Sequence, residues 1–481
     1  MKRFYLLITY LVLIGLSGCE TLPAYKVLSI PLKTDAWSSE WVGAQPADTE
    51  VRGSWWLSFD DPVMNQLQSR IEHDNLTLAA ALFRYNQANA LVMQAKAAQL
   101  PNVDFGVSVN RNRQSDNRPL RGTTQPAEFS ANTLGATFSY EVDIWGKVRN
   151  QVTASKSNAL AAAADMENIR LSLHAALADH YVSLRGYDEQ LKLFDRTIDS
   201  YQRALTLANN RHEGGIASGL DVSRAQTQLS TARAQLTEIK VQRALHLHAI
   251  AALLGEPAQE FSLPSNQNNL KYPDIPLVLP SNLLQRRPDI AAAERRVAAA
   301  HAKVGIAQTA FFPAVGLGTQ LGLQNSGGAG WLAAPNSFWT FGPFLALNIF
   351  DGGARKSQVN QAMAVLEQTG AEYRATVLTA FQQVEDEISR LRNYKQGMYD
   401  QQEAVSSAEK SSLLALSRYR DGAVTYLDVV NAQTVELQTQ RDLLNLQSRC
   451  LLANIALVRA LGGGWQASQV ISDNLSLVNK Q

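Results

Sequence analysis

Residues 134–149 read LGATFSYEVDIWGKVR, and the pattern changes character inside them. Leu134, Ala136, Phe138, Tyr140, Val142 and Ile144 alternate with Gly135, Thr137, Ser139, Glu141 and Asp143. Strict alternation over about ten residues describes a strand with one apolar and one wet face. From Gly146 the alternation stops. Gly146 to Leu207 contains no proline and one interior glycine, Gly186. A helix of about 60 residues would reach roughly 90 Å.

The same junction occurs again further along. Val315, Leu317, Leu321 and Leu323 alternate with glycines and Gln320, and Trp339, Phe341, Leu345, Leu347 and Ile349 form a fourth row. Gly352 to Leu416 is then proline-free, as are Leu220 to Leu254 and Leu427 to Leu461. Val103, Phe105, Val107 and Val109 make the remaining row, after an Ala-rich helical stretch stopped by Pro101. Ala, Gln, Leu, Arg and Glu dominate the long segments, and all favour helix. Many of their positions are small or polar, which suits a thin wall facing water better than a solid core.

The chain is written twice. An offset of 212 pairs Leu78–Ala81 with Ile290–Ala293 apart from one conservative change, and Arg84 with Arg296, Pro101 with Pro313 and Gly106 with Gly318. An offset of 207 pairs Arg211 with Arg418, Gly215 with Gly422, Leu220-Asp221-Val222 with Leu427-Asp428-Val429, and Gly255 with Gly462. This is a tandem duplication of a unit of about 200 residues.

Composition bounds the class. The chain has 481 residues, with 44 Lys and Arg against 43 Asp and Glu, 46% hydrophobic and 18% charged. So even a balance argues against a nucleic-acid partner, which needs a basic patch. Mean hydropathy is −0.16, and past residue 16 no apolar run approaches the length of a spanning helix. Transmembrane strands leave little trace in composition, so a membrane stays open.

The N-terminus sets a compartment. Lys2 and Arg3 precede an apolar stretch, Phe4 to Leu16, sized for a signal peptide. Leu16-Ser17-Gly18-Cys19 resembles a bacterial lipobox, in which Cys19 carries diacylglycerol on sulfur and an N-acyl chain such as palmitate. The alternative is a plain secretory signal with an incidental cysteine. Several acyl chains together anchor stably. Glu20 permits outer-membrane delivery. Cleavage leaves 42 basic and 43 acidic residues, a net charge of −1. Cys450 then has no disulfide partner and is expected as a buried helical thiol.

Four strands cannot close a barrel alone, because known outer-membrane barrels begin at eight and unpaired edges in lipid are prohibitive. Either several copies share one barrel or the strands form a soluble sheet on helices. Anchoring at Cys19, aromatics near strand ends (Trp145, Trp339, Phe341, Phe350) and long polar loops (Arg111–Ser130, Gln324–Ser337) favour the shared barrel.

Four segments carry a family resemblance: WWLSFDDPVMNQL (55–67), YEVDIWGKVR (140–149), RRPDIAAAERRVAAAHAKVGIAQTAFFPAVGL (286–317) and LNIFDGGAR (347–355). They resemble the outer-membrane factor family of tripartite efflux pumps, TolC-like channels, and most nearly the lipoprotein branch typified by OprM and CusC. The resemblance covers nearly all of the mature chain. It implies an α+β membrane protein: a homotrimer with a twelve-stranded barrel, four strands per chain, and a long periplasmic α-helical tunnel. It also implies a periplasmic adaptor and an inner-membrane pump, taken as proton-driven, as partners.

On this basis residues 1–18 are expected as signal peptide and 19–62 as a lipidated segment at the equatorial region. Helices are expected over 63–101 and 283–312, and barrel hairpins over 102–145 and 313–350. Long helical hairpins take 146–256 and 351–465, with a linker at 257–282 and a tail at 466–481.

The resemblance also assigns sites. Gly214-Gly215-Ile216 and Asp421-Gly422-Ala423 match the family's tip motif, which meets the adaptor; they also read as plain helix-hairpin turns. Asp428 matches an acid that lines a constricted periplasmic ring, where three carboxylates would capture cations. It reads equally as a first-turn helical acid, like Asp221. Asn431 stands where a second gate acid would be, and Val424 where a basic residue would help lock it, so a two-layer gate departs from this sequence.

Phosphate-loop, HExxH and nucleophile-elbow motifs are absent from the sequence. His246 and His248 point to different helix faces, and the six methionines are dispersed, so no metal site and no cofactor beyond the lipid is expected. The leading function is a passive exit duct for small toxic compounds. The alternatives are an export duct for secreted proteins and a non-pore periplasmic scaffold lipoprotein.

Overall fold

The computed structural model describes residues 52–115, 117, 127–265, 287–326 and 330–463. The signal peptide, Cys19, most of the 257–282 linker and the 466–481 tail lie outside the described residues. Within them stand seven α-helices and four strands. In chain order they are α1 (Pro62–Asp74), α2 (Leu76–Ala97), β1 (Asn102–Arg113), β2 (Glu128–Val142), α3 (Lys147–Glu213) and α4 (Gly219–Leu253). Then come α5 (Pro288–Thr309), β3 (Ala314–Asn325), β4 (Ser337–Ala346), α6 (Ala354–Arg420) and α7 (Tyr426–Ala460).

The duplication is visible in the helix lengths. α3 and α6 have 67 residues each, and α4 and α7 have 35 each. At 1.5 Å per residue these are about 100 Å and about 53 Å long.

The helix expected over 63–101 is two helices. Asn75 takes an extended conformation (φ −77°, ψ 116°) and ends α1 by donating its N–H to Ile71 O. Its Oδ1 accepts from Leu78 N at 2.8 Å, which caps α2, and its Nδ2 donates to Leu253 O at 2.7 Å. One buried amide thus supplies a stop, a start and a tie to α4. The fourth row also ends sooner than its alternation suggests: β4 stops at Ala346, so Leu347, Ile349 and Phe350 lie beyond the strand.

The chain divides into two compact units. The first holds residues 84–162 and 292–374, and with them the sheet. All four strands are antiparallel in the order β1-β2-β3-β4. The central pairing joins β2 to β3, one strand from each half of the duplication.

The second unit holds the described parts of 52–83, 163–291 and 375–463. A 3-10 helix, Arg52–Phe59, and α1 pack Trp56, Phe59, Met64 and Ile71 against Leu177, Tyr181 and Ile250 of α3 and α4. Asp61 organises this contact. Its Oδ1 accepts from Val63 N (2.8 Å), Met64 N (2.9 Å) and the buried Tyr181 hydroxyl (2.9 Å). His174 lies stacked under Trp56, with ring centroids 4.4 Å apart. Its two nitrogens meet Gln68 Oε1 (2.6 Å) and Glu72 Oε1 (2.8 Å). The hydrogen bond from His174, helped by Arg170, holds the Glu72 carboxyl below its ordinary value despite partial burial.

Gly186, the single interior glycine of α3, allows a close helix approach: a Cβ there would lie 2.5 Å from Ser448 Oγ of α7. Replacing Asp61 by Ala removes the α1 cap and strands the Tyr181 hydroxyl. It should cost about 1–2 kcal/mol, read as a lower midpoint for thermal loss of the helical circular-dichroism signal.

Candidate functional site

The strand register sorts the sheet into two faces. Val103, Phe105 and Val107 lie opposite Phe138, Ala136 and Leu134. Ala136 and Tyr140 lie opposite Leu321 and Leu317, and Leu321 and Thr319 lie opposite Trp339 and Phe341. This face is almost wholly apolar and largely open: Phe105 is 72% exposed and Trp339 75%. The other face carries Asp104, Ser108, Thr137, Ser139 and Gln320 among several glycines. It also carries Phe338 and Phe344. Each ring lies over the glycine opposite, Gly322 and Gly316; a Cβ on Gly316 would come within 2.3 Å of Phe344 Cζ. An aromatic ring folded over a cross-strand glycine covers bare backbone and pins register.

β1 and β4 are edge strands, each paired on one side only. Trp145, expected among the aromatics near strand ends, also ties the end of β2 to the residues before β3. It stacks on Phe312 (centroids 4.7 Å, interplanar angle 18°), and its Nε1 donates to Pro313 O at 2.8 Å.

An aspartate manages each passage from strand to long helix. Asp143 accepts from Val148 N (3.0 Å) and Arg149 N (2.8 Å), ahead of Gly146 at φ 79°. Asp351 accepts from Gly353 N (3.0 Å) and Arg355 Nε (2.5 Å), beside Gly352 and Gly353 at φ 63° and 92°. The YEVDIWGKVR and LNIFDGGAR motifs are thus caps on the orphan N–H groups of a helix start, with glycine supplying the left-handed turn.

The two tips share the hydrogen bonds that close their turns. Gly215 N donates to His212 O, and Gly422 N to Tyr419 O. Ile216 N donates to Arg211 O, and Ala423 N to Arg418 O. Gly215 and Gly422 take φ 73° and 78°. All six tip residues named from the sequence, Gly214, Gly215, Ile216, Asp421, Gly422 and Ala423, are exposed. Behind the tips Tyr201, Leu229, Tyr419, Tyr426 and Val429 form a buried cluster.

Asp428 is exposed and sits in the first turn of α7. Its Oδ2 accepts from Thr425 N (3.0 Å) and Thr425 Oγ1 (2.8 Å). The helix-start role is therefore real in the single chain. The two repeats differ one helical turn later. Asp221 has Arg224 at 3.8 Å, whereas the position equivalent to Arg224 is the exposed Asn431. Asp428 keeps a charge that its counterpart shares with a cation.

A polar cleft of about 490 Å³ in the second unit escaped sequence reading. His180 and His246, from α3 and α4, meet Nδ1 to Nδ1 at 3.1 Å, and burial lowers both from the ordinary histidine value. Burial raises Asp179 to about 6 and also raises Glu387, which is bonded to Arg390 at 2.6 Å. No periodicity announces this cluster, because its members come from three helices. Cys450 is buried, as expected, and burial pushes its thiol up. Among the described residues no group of three or more His, Cys, Asp or Glu is placed to hold a metal, and no helix is long and apolar enough to cross a membrane.

A four-stranded sheet with one apolar face and two open edges, joined to two long helical hairpins, defines a subunit of an outer-membrane efflux channel. The chain belongs to the outer membrane efflux protein family, whose model matches residues 67–256 and 279–463. It is 31% identical over 479 residues, 97% of this chain and 98% of the other, to the probable efflux pump outer membrane protein SepC of Pseudomonas putida. It is 30% identical over 471 residues, 96% and 97% of the two chains, to the pyoverdine export outer membrane protein OpmQ of Pseudomonas aeruginosa. The solved structure of the outer membrane protein VceC from Vibrio cholerae superposes with a TM-score of 0.80 at 29% identity, covering 86% of this chain and 99% of that one. The protein is an outer-membrane channel subunit of an efflux pump; its family and fold are those of a transport conduit.

Gly316→Val should displace Phe344 and weaken strand pairing, read as less folded, heat-modifiable protein in outer-membrane fractions; adding Phe344→Ala should restore part of the loss. Because the folded Asp179 value lies above the unfolded one, its favourable contribution is complete below about 3.8 and lost as pH rises through about 6. Asp179→Asn should therefore stabilise the protein at pH 7 and flatten its stability between pH 4 and 6, read by thermal melts across that range.

Proposed function

We propose that three copies close this sheet into one twelve-stranded barrel and form a passive exit duct for small toxic compounds. The observation that carries the reading is the pair of open edges, β1 and β4, on a sheet whose broad face is apolar. In lipid, every backbone N–H and C=O must be satisfied within protein, and a four-stranded sheet does so only by borrowing its neighbours' edges. The resemblance of the N-terminus to a lipobox supports a diacylglycerol and N-palmitate anchor at Cys19. Likeness to efflux proteins supports delivery by a periplasmic adaptor and a proton-driven inner-membrane pump, with the adaptor meeting Gly214–Ile216 and Asp421–Ala423.

Asp428 then forms the periplasmic ring. Its exposure and the Asn431 that replaces the cation beside Asp221 support this. Three uncompensated carboxylates near one axis would favour cations and repel anions.

Purified protein should run as a heat-sensitive trimer and give single-channel currents in bilayers; a monomer without currents would refute the duct. In the same bilayers Asp428→Ala should raise conductance and reduce cation selectivity. Unchanged values for both would remove Asp428 from the gate. Deleting the gene should sensitise cells to particular dyes, detergents, antibiotics or metals across a broad panel.

A further inference from the structure

The two tips share the bonds that close their turns but not their surroundings. Arg211, four residues before Gly215, reaches across to the second tip. Its Nη1 donates to Tyr419 O at 2.9 Å and Arg420 O at 2.8 Å, the last carbonyls of α6. Its guanidinium lies 4.9 Å from the Tyr419 ring centroid, and Nη2 comes 3.7 Å from where a Cβ on Gly422 would stand. A cation on helix-terminal carbonyls satisfies orphan acceptors and opposes the negative end of the helix dipole.

The repeat contains this device a second time, unused among the described residues. Arg418 is the counterpart of Arg211 at the offset of 207, and the counterparts of Tyr419 and Arg420 are His212 and Glu213. Arg418 is exposed, and its guanidinium makes no hydrogen bond or ion pair with the described residues. Around Gly215 there is nothing within 4 Å of a built Cβ, where Gly422 has Arg211. His212 O accepts from Gly215 N as Tyr419 O accepts from Gly422 N, so α3 ends in the same kind of turn as α6. The charges also fit better: Arg211 settles beside a like charge, Arg420, whereas an arginine at the first tip would meet the exposed carboxylate of Glu213.

We propose that Arg418 docks on the His212 and Glu213 carbonyls and the Glu213 carboxylate of a second copy of this chain, repeating between chains the contact Arg211 makes within one. Six tips would then be tied in a ring by alternating internal and intermolecular arginines. The inference rests on the trimer proposed above, and adds to it which residues join one copy to the next.

The test uses the full-length protein with Cys450→Ser, carrying Arg418→Cys with Glu213→Cys and treated with a short bismaleimide. Light scattering first establishes the oligomer. The expected result is covalent dimers and trimers on a denaturing gel, absent from either single-cysteine chain. Arg211→Cys with Arg420→Cys should react yet stay at monomer mass. An intact trimer that gives only monomers from the 418/213 pair, while the 211/420 pair reacts, overturns the docking and leaves the trimer standing. A monomer in light scattering overturns both. A charge swap probes the contact itself: Arg418→Glu should lower the temperature at which trimers dissociate, and adding Glu213→Arg should restore most of that shift. No drop on the single change, or no recovery on the double, would reject the ion pair.

Discussion

A strand edge cannot be left bare in hydrocarbon. Each unpaired backbone group there costs several kcal/mol, with no water to compensate. β1 and β4 each offer such an edge, and much of the chain can be understood from it. The apolar face is useful only if the edges are covered. Covering them with copies of the same chain requires the two edges to match, and the duplication makes β1 and β4 ends of a sheet built from two similar hairpins. Phe338 and Phe344, laid over glycines on the other face, protect the register on which that match depends.

Duplication preserved lengths and let individual positions drift. The paired helices are equal to the residue, 67 with 67 and 35 with 35. The differences lie in charge. Asp221 has Arg224, and Asp428 has Asn431; Arg420 stands where the first copy has Glu213. In the proposed trimer, a ring of six similar hairpins would have two kinds of position, and only one kind would carry a first-turn acid without an arginine one turn on.

Local periodicity made much of this legible. The switch from alternation to helix at 134–149 marks a strand joined to a long helix, and the capping aspartates Asp143 and Asp351 sit inside the quoted motifs. Contacts made in three dimensions were not legible. Asn75 looks like one polar residue in a helical stretch until Leu253 O is seen beside it. Trp145 has the composition of an interfacial aromatic, yet its indole is engaged by Phe312 and Pro313. His180 and His246 lie far apart in sequence and share no motif, so only the packing of α3 against α4 brings them together. Asp428 shows the opposite limit: its helix-start reading is met by the bonds from Thr425, while the ring reading concerns other copies of the chain, which no contact within one chain can reveal.

The pairing of β2 with β3 also bears on how the molecule is made. Val142 lies opposite Val315, so the middle of the sheet closes a loop of about 170 residues, a slow and entropically costly contact. Two long helices and α5 must emerge from the export machinery before that contact can form. Until then β1 and β2 form an isolated hairpin, which is marginal in water and exposes an apolar face. A chain emerging N-terminus first therefore holds an apolar hairpin with two unpaired edges, a state prone to association, until its second half arrives.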